Sequence, residues 1–179
     1  MQRLVSVTKV LTPFTDFSNV PPDRLQFAAD RGRAVHAACA AYARGLPVLI
    51  DNGAYDFFAS FRDWYDKHVA RALFIESEFS DPHTYGIIGH PDIVCELADG
   101  RVVVVDYKTP AVESPTWKAQ LAAYCYLVRP VVGDADGLAL MLSRDGKPAR
   151  AVTYQRQAQD FAAFVAALTA WRYFKGGTK

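Results

Sequence analysis

Three side chains in the middle of this sequence are spaced so that they converge if the chain folds back on itself. They are Asp92, in GlyHisProAspIleVal (89–94), and Asp106 and Lys108, in ArgValValValValAspTyrLys (101–108). The turn between the two segments decides whether they meet. A two-residue loop, Asp99-Gly100, sets Asp92 opposite Tyr107 and sends Asp106 to the other face. A three-residue loop, Ala98-Asp99-Gly100, sets Asp92 directly opposite Asp106, and glycine suits its last position because that residue adopts a left-handed backbone. In this register His90, Asp92, Asp106 and Lys108 emerge on one face, since side chains alternate with period two. Opposed carboxylates repel unless a cation lies between them, and a hard divalent ion such as Mg²⁺ prefers oxygen ligands. Lys108 then brings an ammonium to the same place, where it stabilises negative charge on a phosphate oxygen. In outline this is the chemistry of metal-assisted phosphodiester hydrolysis.

An AspXLys triplet alone carries little information, because roughly 0.6 such triplets are expected by chance at this composition. A second copy, Asp145-Gly146-Lys147, precedes Pro148 and reads as turn chemistry. The first copy ends a run of four valines, at the end of a buried strand, where polar groups are costly without a purpose.

The elements that must position these residues follow from periodicity and from breaks at ThrProPhe (12–14), ProPro (21–22), GlyLeuPro (45–47) and AspAsnGly (51–53). A helix is predicted from Pro22 to about Arg44, with Phe27, Val35, Cys39 and Tyr42 as its apolar stripe. A second runs over about 55–70. Strands are predicted at 72–80, 86–97 and 101–108, then a helix over 115–128, a hairpin of 137–143 with 149–155, and an amphipathic helix over 157–174. The order α-α-β-β-β-α-β-β-α implies a mixed α/β (α+β) layer fold, one central sheet flanked by helices. A length of 179 residues fits one domain over residues 1–179.

About half the residues are hydrophobic, which excludes a disordered or fibrous chain. The three cysteines, Cys39, Cys95 and Cys125, show no CxxC and no zinc spacing, so a reducing cytoplasm is expected rather than a disulfide framework. No signal peptide and no membrane span are expected. The net charge of +1 conceals an uneven layout: six basic and three acidic side chains in 1–50, seven and fourteen in 51–139, seven and two in 140–179. Either the solvated surface is simply patchy, or an acidic centre holds divalent cations between flanks that meet a polyanion.

Pro91-Asp92 followed by Asp106-Tyr107-Lys108 resembles the PD-(D/E)xK nuclease superfamily. Further motifs are similar to its RecB-type exonuclease branch: Gly32-Arg-Ala-Val-His36 as GxxxH, Glu76 in PheIleGluSerGluPhe, Gly89-His-Pro-Asp92 as GxxD, and Gln120-Leu-Ala-Ala-Tyr124 as QxxxY. These elements span 32–124 in the family's order, within a core of 32–129 that the C-terminal hairpin and helix (137–175) extend.

The resemblance implies a Mg²⁺- or Mn²⁺-dependent deoxyribonuclease, an exonuclease first and otherwise an endonuclease of the junction-resolvase or restriction type. A non-catalytic DNA-binding module on the same scaffold is the reading from a different class. Asp92, Asp106 and the backbone carbonyl of Tyr107 are implied as metal ligands, and Lys108 as the catalytic cation. His36 is the implied nitrogen ligand, with His90 its rival, and Glu76 completes the shell, with Glu78 its rival. Gln120 and Tyr124, one helical turn apart, either orient the site and contact DNA or belong to the core. Trp117, a turn earlier, either stacks on a base or is core, and Gly32 admits a close approach of its helix to the sheet or substrate. Arg144, Lys147, Arg150, Arg156, Arg172 and Lys175 are candidate phosphate contacts. An iron–sulfur subgroup of the branch carries one cysteine upstream and three downstream of the core. Here the cysteines are interleaved with the motifs, so no cluster is expected. Without GxxxxGK[ST], the chain resembles the stand-alone modules of phage recombination systems. That implies DNA and a single-strand annealing or recombination protein as partners, in a bacterial or phage-infected cell.

Overall fold

The structure, a computed structural model, describes residues 4–16, 18, 20–109, 113–154 and 157–175. The chain opens with strand β1 (Val5–Ser6) and helix α1 (Val7–Leu11), and the Ser6 hydroxyl caps α1 by accepting the Lys9 N–H. Helix α2 (Pro22–Ala43) begins on proline, whose missing N–H costs nothing at that position. Helix α3 (Asn52–His68) begins at Asp51, whose carboxylate accepts the Ala54 N–H. There follow β2 (Val69–Ile75), β3 (Phe79–Asp81), β4 (Ile87–Gly89), β5 (Ile93–Leu97), β6 (Val102–Lys108), α4 (Thr116–Val132), β7 (Asp136–Met141), β8 (Arg150–Tyr154) and α5 (Gln157–Lys175).

The main sheet has the order β2-β5-β6-β7-β8, with β6 and β7 parallel and the other neighbours antiparallel. A smaller sheet, β1-β4-β3, pairs β1 with β4 in parallel. The valine run explains the layering, because a strand covered on both faces is apolar at every position. Val103, Val105 and Tyr107 point to α2 and α3, where they meet Val35, Cys39, Phe61 and Trp64. Val94, Val104 and Ala139 point the other way, into a cluster with Leu121, Tyr124 and Val128 of α4 and Phe164 and Leu168 of α5. Cys39, Cys95 and Cys125 are buried and free.

The hairpin register is the one the glycine argument requires. Ile93 pairs with Val105 and Glu96 with Val102, and Gly100, at φ 86°, ends the three-residue loop. Other boundaries differ from expectation. The predicted strand 86–97 is two strands in two sheets, because Pro91 has no N–H to give a ladder. The predicted strand 72–80 starts earlier, at Val69, and breaks at Glu76, whose φ of 48° is left-handed. The pair β1–α1 was not foreseen, since a strand of two residues has no readable period. Its Val7, Val10 and Leu11 are nonetheless core.

Candidate active site

The sheet brings the candidate residues to one end. β2 ends just before Glu76, β5 starts just after Asp92, and β6, antiparallel to β5, ends with Asp106, Tyr107 and Lys108. The switch between sheets at His90–Pro91 leaves Asp92 at the mouth of the ladder, where its carboxylate is free to turn inward. It is buried, and its two oxygens are both engaged. One accepts the backbone N–H of Tyr107, and the other lies 2.9 Å from His36 Nδ1. The carbonyl of Tyr107 lies on the same side of β6 as that N–H, because an extended residue presents both groups to one neighbour.

His36 comes from α2, across the sheet from α4, and its ring meets the edge of Tyr107 at 5.5 Å between centroids. Burial opposes a charge on the imidazole. Asp92 outweighs that, with smaller shares from Asp106 and Glu76, and the pKa stands at about 9. Glu76 completes the group: ligand atoms of His36, Glu76 and Asp92 lie within 4.8 Å of one another. The Glu76 carboxyl is raised above its ordinary value by partial desolvation and by the charge of Asp92, against which His36 and Arg44 act. Its N–H donates to the Asp92 carbonyl, so its left-handed backbone is fixed from the neighbouring strand.

Asp106 and Lys108 form a second, interlocked group on the α4 side. Asp106 is buried, and one of its oxygens accepts from Gln120 Nε2 at 2.9 Å while the other contacts Lys108 Nζ. The Gln120 carbonyl oxygen in turn accepts from Lys108 Nζ at 2.9 Å, and its amide also reaches the Tyr124 hydroxyl at 3.2 Å. Lys108 Nζ stands 5.1 Å from the centre of the Trp117 ring, a cation–π distance. Burial raises the Asp106 pKa, Lys108 opposes it, and the charge of Asp92 adds to it.

The structure therefore sorts the sequence candidates. His36, Glu76 and Asp92 come together, and Asp106, Lys108, Gln120, Tyr124 and Trp117 form the network beside them. Gln120, Tyr124 and Trp117 are buried side chains. His90 and Glu78 stand apart: both are exposed and they pair with each other at 3.1 Å. Asp106 spends its oxygens on Gln120 and Lys108 rather than facing Asp92 alone.

At Gly32 a Cβ would meet, among the described residues, only Thr109 Oγ1, at 3.9 Å, so the expected close approach to the sheet does not occur there. The close approach is at Gly89 instead. Of the basic candidates, Arg144 and Lys147 pair with Asp145, Arg150 pairs with Glu113, and Arg172 donates to the Tyr85 carbonyl. Arg156 and the Lys175 side chain lie outside the described residues. Sequence reading passed over Arg44, two turns beyond His36, which donates Nη2 to the Ile75 carbonyl at 2.8 Å. Its distance along α2 from the recognised GxxxH motif left it without a signal.

With this geometry in view, the comparison with known proteins is direct. The family model of the PD-(D/E)XK nuclease superfamily matches residues 52–172. The chain belongs to this superfamily, whose nucleases use divalent metal ions. The match takes in Glu76, Asp92, Asp106, Lys108 and Gln120, while Gly32 and His36 precede it. Among solved structures the chain is similar to SSO0001, at 15% identity and TM-score 0.46, over 95% of this chain and 77% of that one. It is also similar to an alkaline exonuclease from Laribacter hongkongensis, at 14% identity and TM-score 0.41, over 93% and 88%. No curated protein matches the sequence. No helix among the described residues is long and apolar enough to cross a membrane.

Proposed function

We propose that this chain is a single-domain, Mg²⁺- or Mn²⁺-dependent deoxyribonuclease of the RecB-like branch, acting as an exonuclease in DNA recombination, repair or phage DNA processing inside the cell. The observation that carries this is the meeting of an imidazole and two carboxylates within 4.8 Å of one another, beside a partly buried lysine, in a chain of this superfamily. The donor set suits a divalent cation. Two of the three donors are carboxylates, and burial first, then the neighbouring charge of Asp92, raises the pKa values of Glu76 and Asp106.

His36, Glu76, Asp92 and the Tyr107 carbonyl would hold the ion. Asp106 joins them through the lone pairs left after its bonds to Gln120 and Lys108. Bound there, the ion supplies Lewis-acid polarisation of the scissile phosphate and a more acidic water.

The protein's own groups do the rest. The Tyr107 N–H and His36 fix the rotamer of Asp92. Gln120 bridges Asp106 and Lys108, so the ammonium is held in place before substrate arrives and meets the charge that develops on the phosphate. The ring of Trp117 shields that ammonium from water on one side.

Linear duplex labelled at either end, incubated with Mg²⁺ or Mn²⁺, tests the reading. Progressive release of label from one end is expected, with a Lys108→Ala variant slower by about 10²–10³-fold. Cleavage of closed circular DNA would reassign the activity to an endonuclease. Degradation no faster than that of Lys108→Ala, across metals and DNA ends, would remove the enzyme reading altogether.

A further inference from the structure

The proposed nuclease centre opens into a cleft whose other walls have so far been given no task. Arg33, Ala37 and Ala40 of α2 and Arg44, which caps its C-terminus, fall at i, i+4, i+7 and i+11, so they share one helical face. With Gly32, His36 and Glu76 they line a cleft of about 610 Å³. The two arginines stand roughly 16 Å apart along the helix, from the rise per residue. Alanines lie between them, so no side chain from this face of α2 fills the trough.

Both guanidinium groups are available to a ligand. Arg33 is 68% exposed, and its partner Asp30 is itself on the surface, where an ion pair contributes little. Arg44 is exposed and gives one of its five N–H groups to the Ile75 carbonyl, which anchors its stem beside Glu76 and leaves the others to bind. Cations at both ends of a long, shallow, small-residue floor suit a row of regularly spaced anions better than one compact anion. The trough runs past His36 and Glu76, so a chain lying in it passes directly over the candidate centre. Among the basic groups of the C-terminal third, Arg172 is committed to backbone carbonyls.

We propose that this face of α2 is the track for the DNA strand next to the scissile phosphate, with Arg33 and Arg44 each holding a phosphodiester and the sugar–phosphate backbone crossing Ala37 and Ala40. The inference rests on the reading of His36, Glu76 and Asp92 as the metal centre of a nuclease, and it extends that reading to substrate binding.

The test separates binding from cleavage. A fluorescein-labelled single-stranded oligonucleotide is titrated with protein carrying Lys108→Ala, in chelator, between about 50 and 200 mM salt. Arg33→Gln and Arg44→Gln are each expected to weaken binding and to reduce the slope of log K against log salt by about 0.7. Ala37→Arg, at an exposed position on the floor, is expected to tighten binding and steepen the slope by a similar amount, which a folding defect cannot mimic. In the cleaving enzyme the same substitutions should move KM far more than kcat.

An unchanged slope in both the Arg33/Arg44 double variant and Ala37→Arg, in a protein that still cleaves DNA, overturns the track and leaves the nuclease reading standing. Arginine-dependent binding in a protein that never cleaves supports the track and sinks the nuclease reading. Failure of the wild type either to bind or to cleave DNA overturns both.

Discussion

The ring of Tyr124 occupies the space that a side chain at residue 89 would need: a Cβ on Gly89 would lie 2.7 Å from its Cε1 and 2.8 Å from its Cδ1. Leu127 Cδ1 closes the same space at 2.9 Å. The glycine of GxxD and the tyrosine of QxxxY are thus two sides of one contact, and it sets the height of α4 over the site. Gly89→Ala is expected to cost about 1–3 kcal/mol by overpacking, read as a lower urea midpoint. Combining it with Tyr124→Leu should recover part of the loss, and additive losses would rule this account out.

Gln120→Leu removes the group that bridges Asp106 and Lys108. One Asp106 oxygen then loses its donor in a buried setting, at a cost of about 1–3 kcal/mol. Since Lys108 loses its acceptor as well, kcat should fall at least tenfold with KM little changed. A KM effect alone would assign Gln120 to substrate contact instead.

Glu76 carries its carboxylate on a left-handed backbone, a conformation that costs a non-glycine residue about 1 kcal/mol or more. Glu76→Gly is expected to raise the melting temperature in chelator while abolishing the further rise that Mn²⁺ produces in the wild type. A variant that melts lower, or still responds to Mn²⁺, would contradict this placement of strain at the site.

Tyr107 is 2% exposed, and among the described residues its hydroxyl has no hydrogen-bond partner. Its ring packs against Phe61 and His36, so Tyr107→Phe keeps the packing and deletes only the unpaired oxygen. A gain of about 1 kcal/mol is expected, or roughly 2–4 °C in Tm for a chain of this size. A lower Tm would show that the hydroxyl is bonded.

Asp81 ties the turn between β3 and β4. Its carboxylate accepts the N–H groups of His83, Thr84 and Tyr85 and the hydroxyl of Tyr126. Desolvation pushes its pKa up, but these donors together pull it below the ordinary value. A carboxyl depressed on folding stabilises the protein above its unfolded pKa, and that contribution is lost as pH falls through the folded value. Asp81→Asn should therefore be less stable than wild type at neutral pH, and the difference should shrink below about pH 4. A difference independent of pH would mean that the charge is not what the turn uses.

The hairpin register was readable because one residue, Gly100, decided between two loop lengths, and the register decided the faces of Asp92, Asp106 and Lys108. The break at His90–Pro91 was equally visible as a proline, yet the apolar residues on either side of it masked a change of sheet. The contact of His36 with Asp92 spans 56 positions, and no local rule reaches that far. The role of Gln120 depends on α4 lying over the face of β6 that carries Asp106 and Lys108, which strand alternation leaves open until the helices are packed.

The small sheet has a consequence for the order in which the protein is made. Val5 and Ser6 leave the ribosome well before their partners Ile87 and Ile88, and α1 packs on α4 and α5. At typical rates of synthesis, about 80 residues take on the order of ten seconds, and α5 comes later still. Through that interval Val7, Val10 and Leu11 have nowhere to bury. A segment made early is thus among the last to be seated, and a chaperone that shields it during synthesis should raise the yield of folded protein.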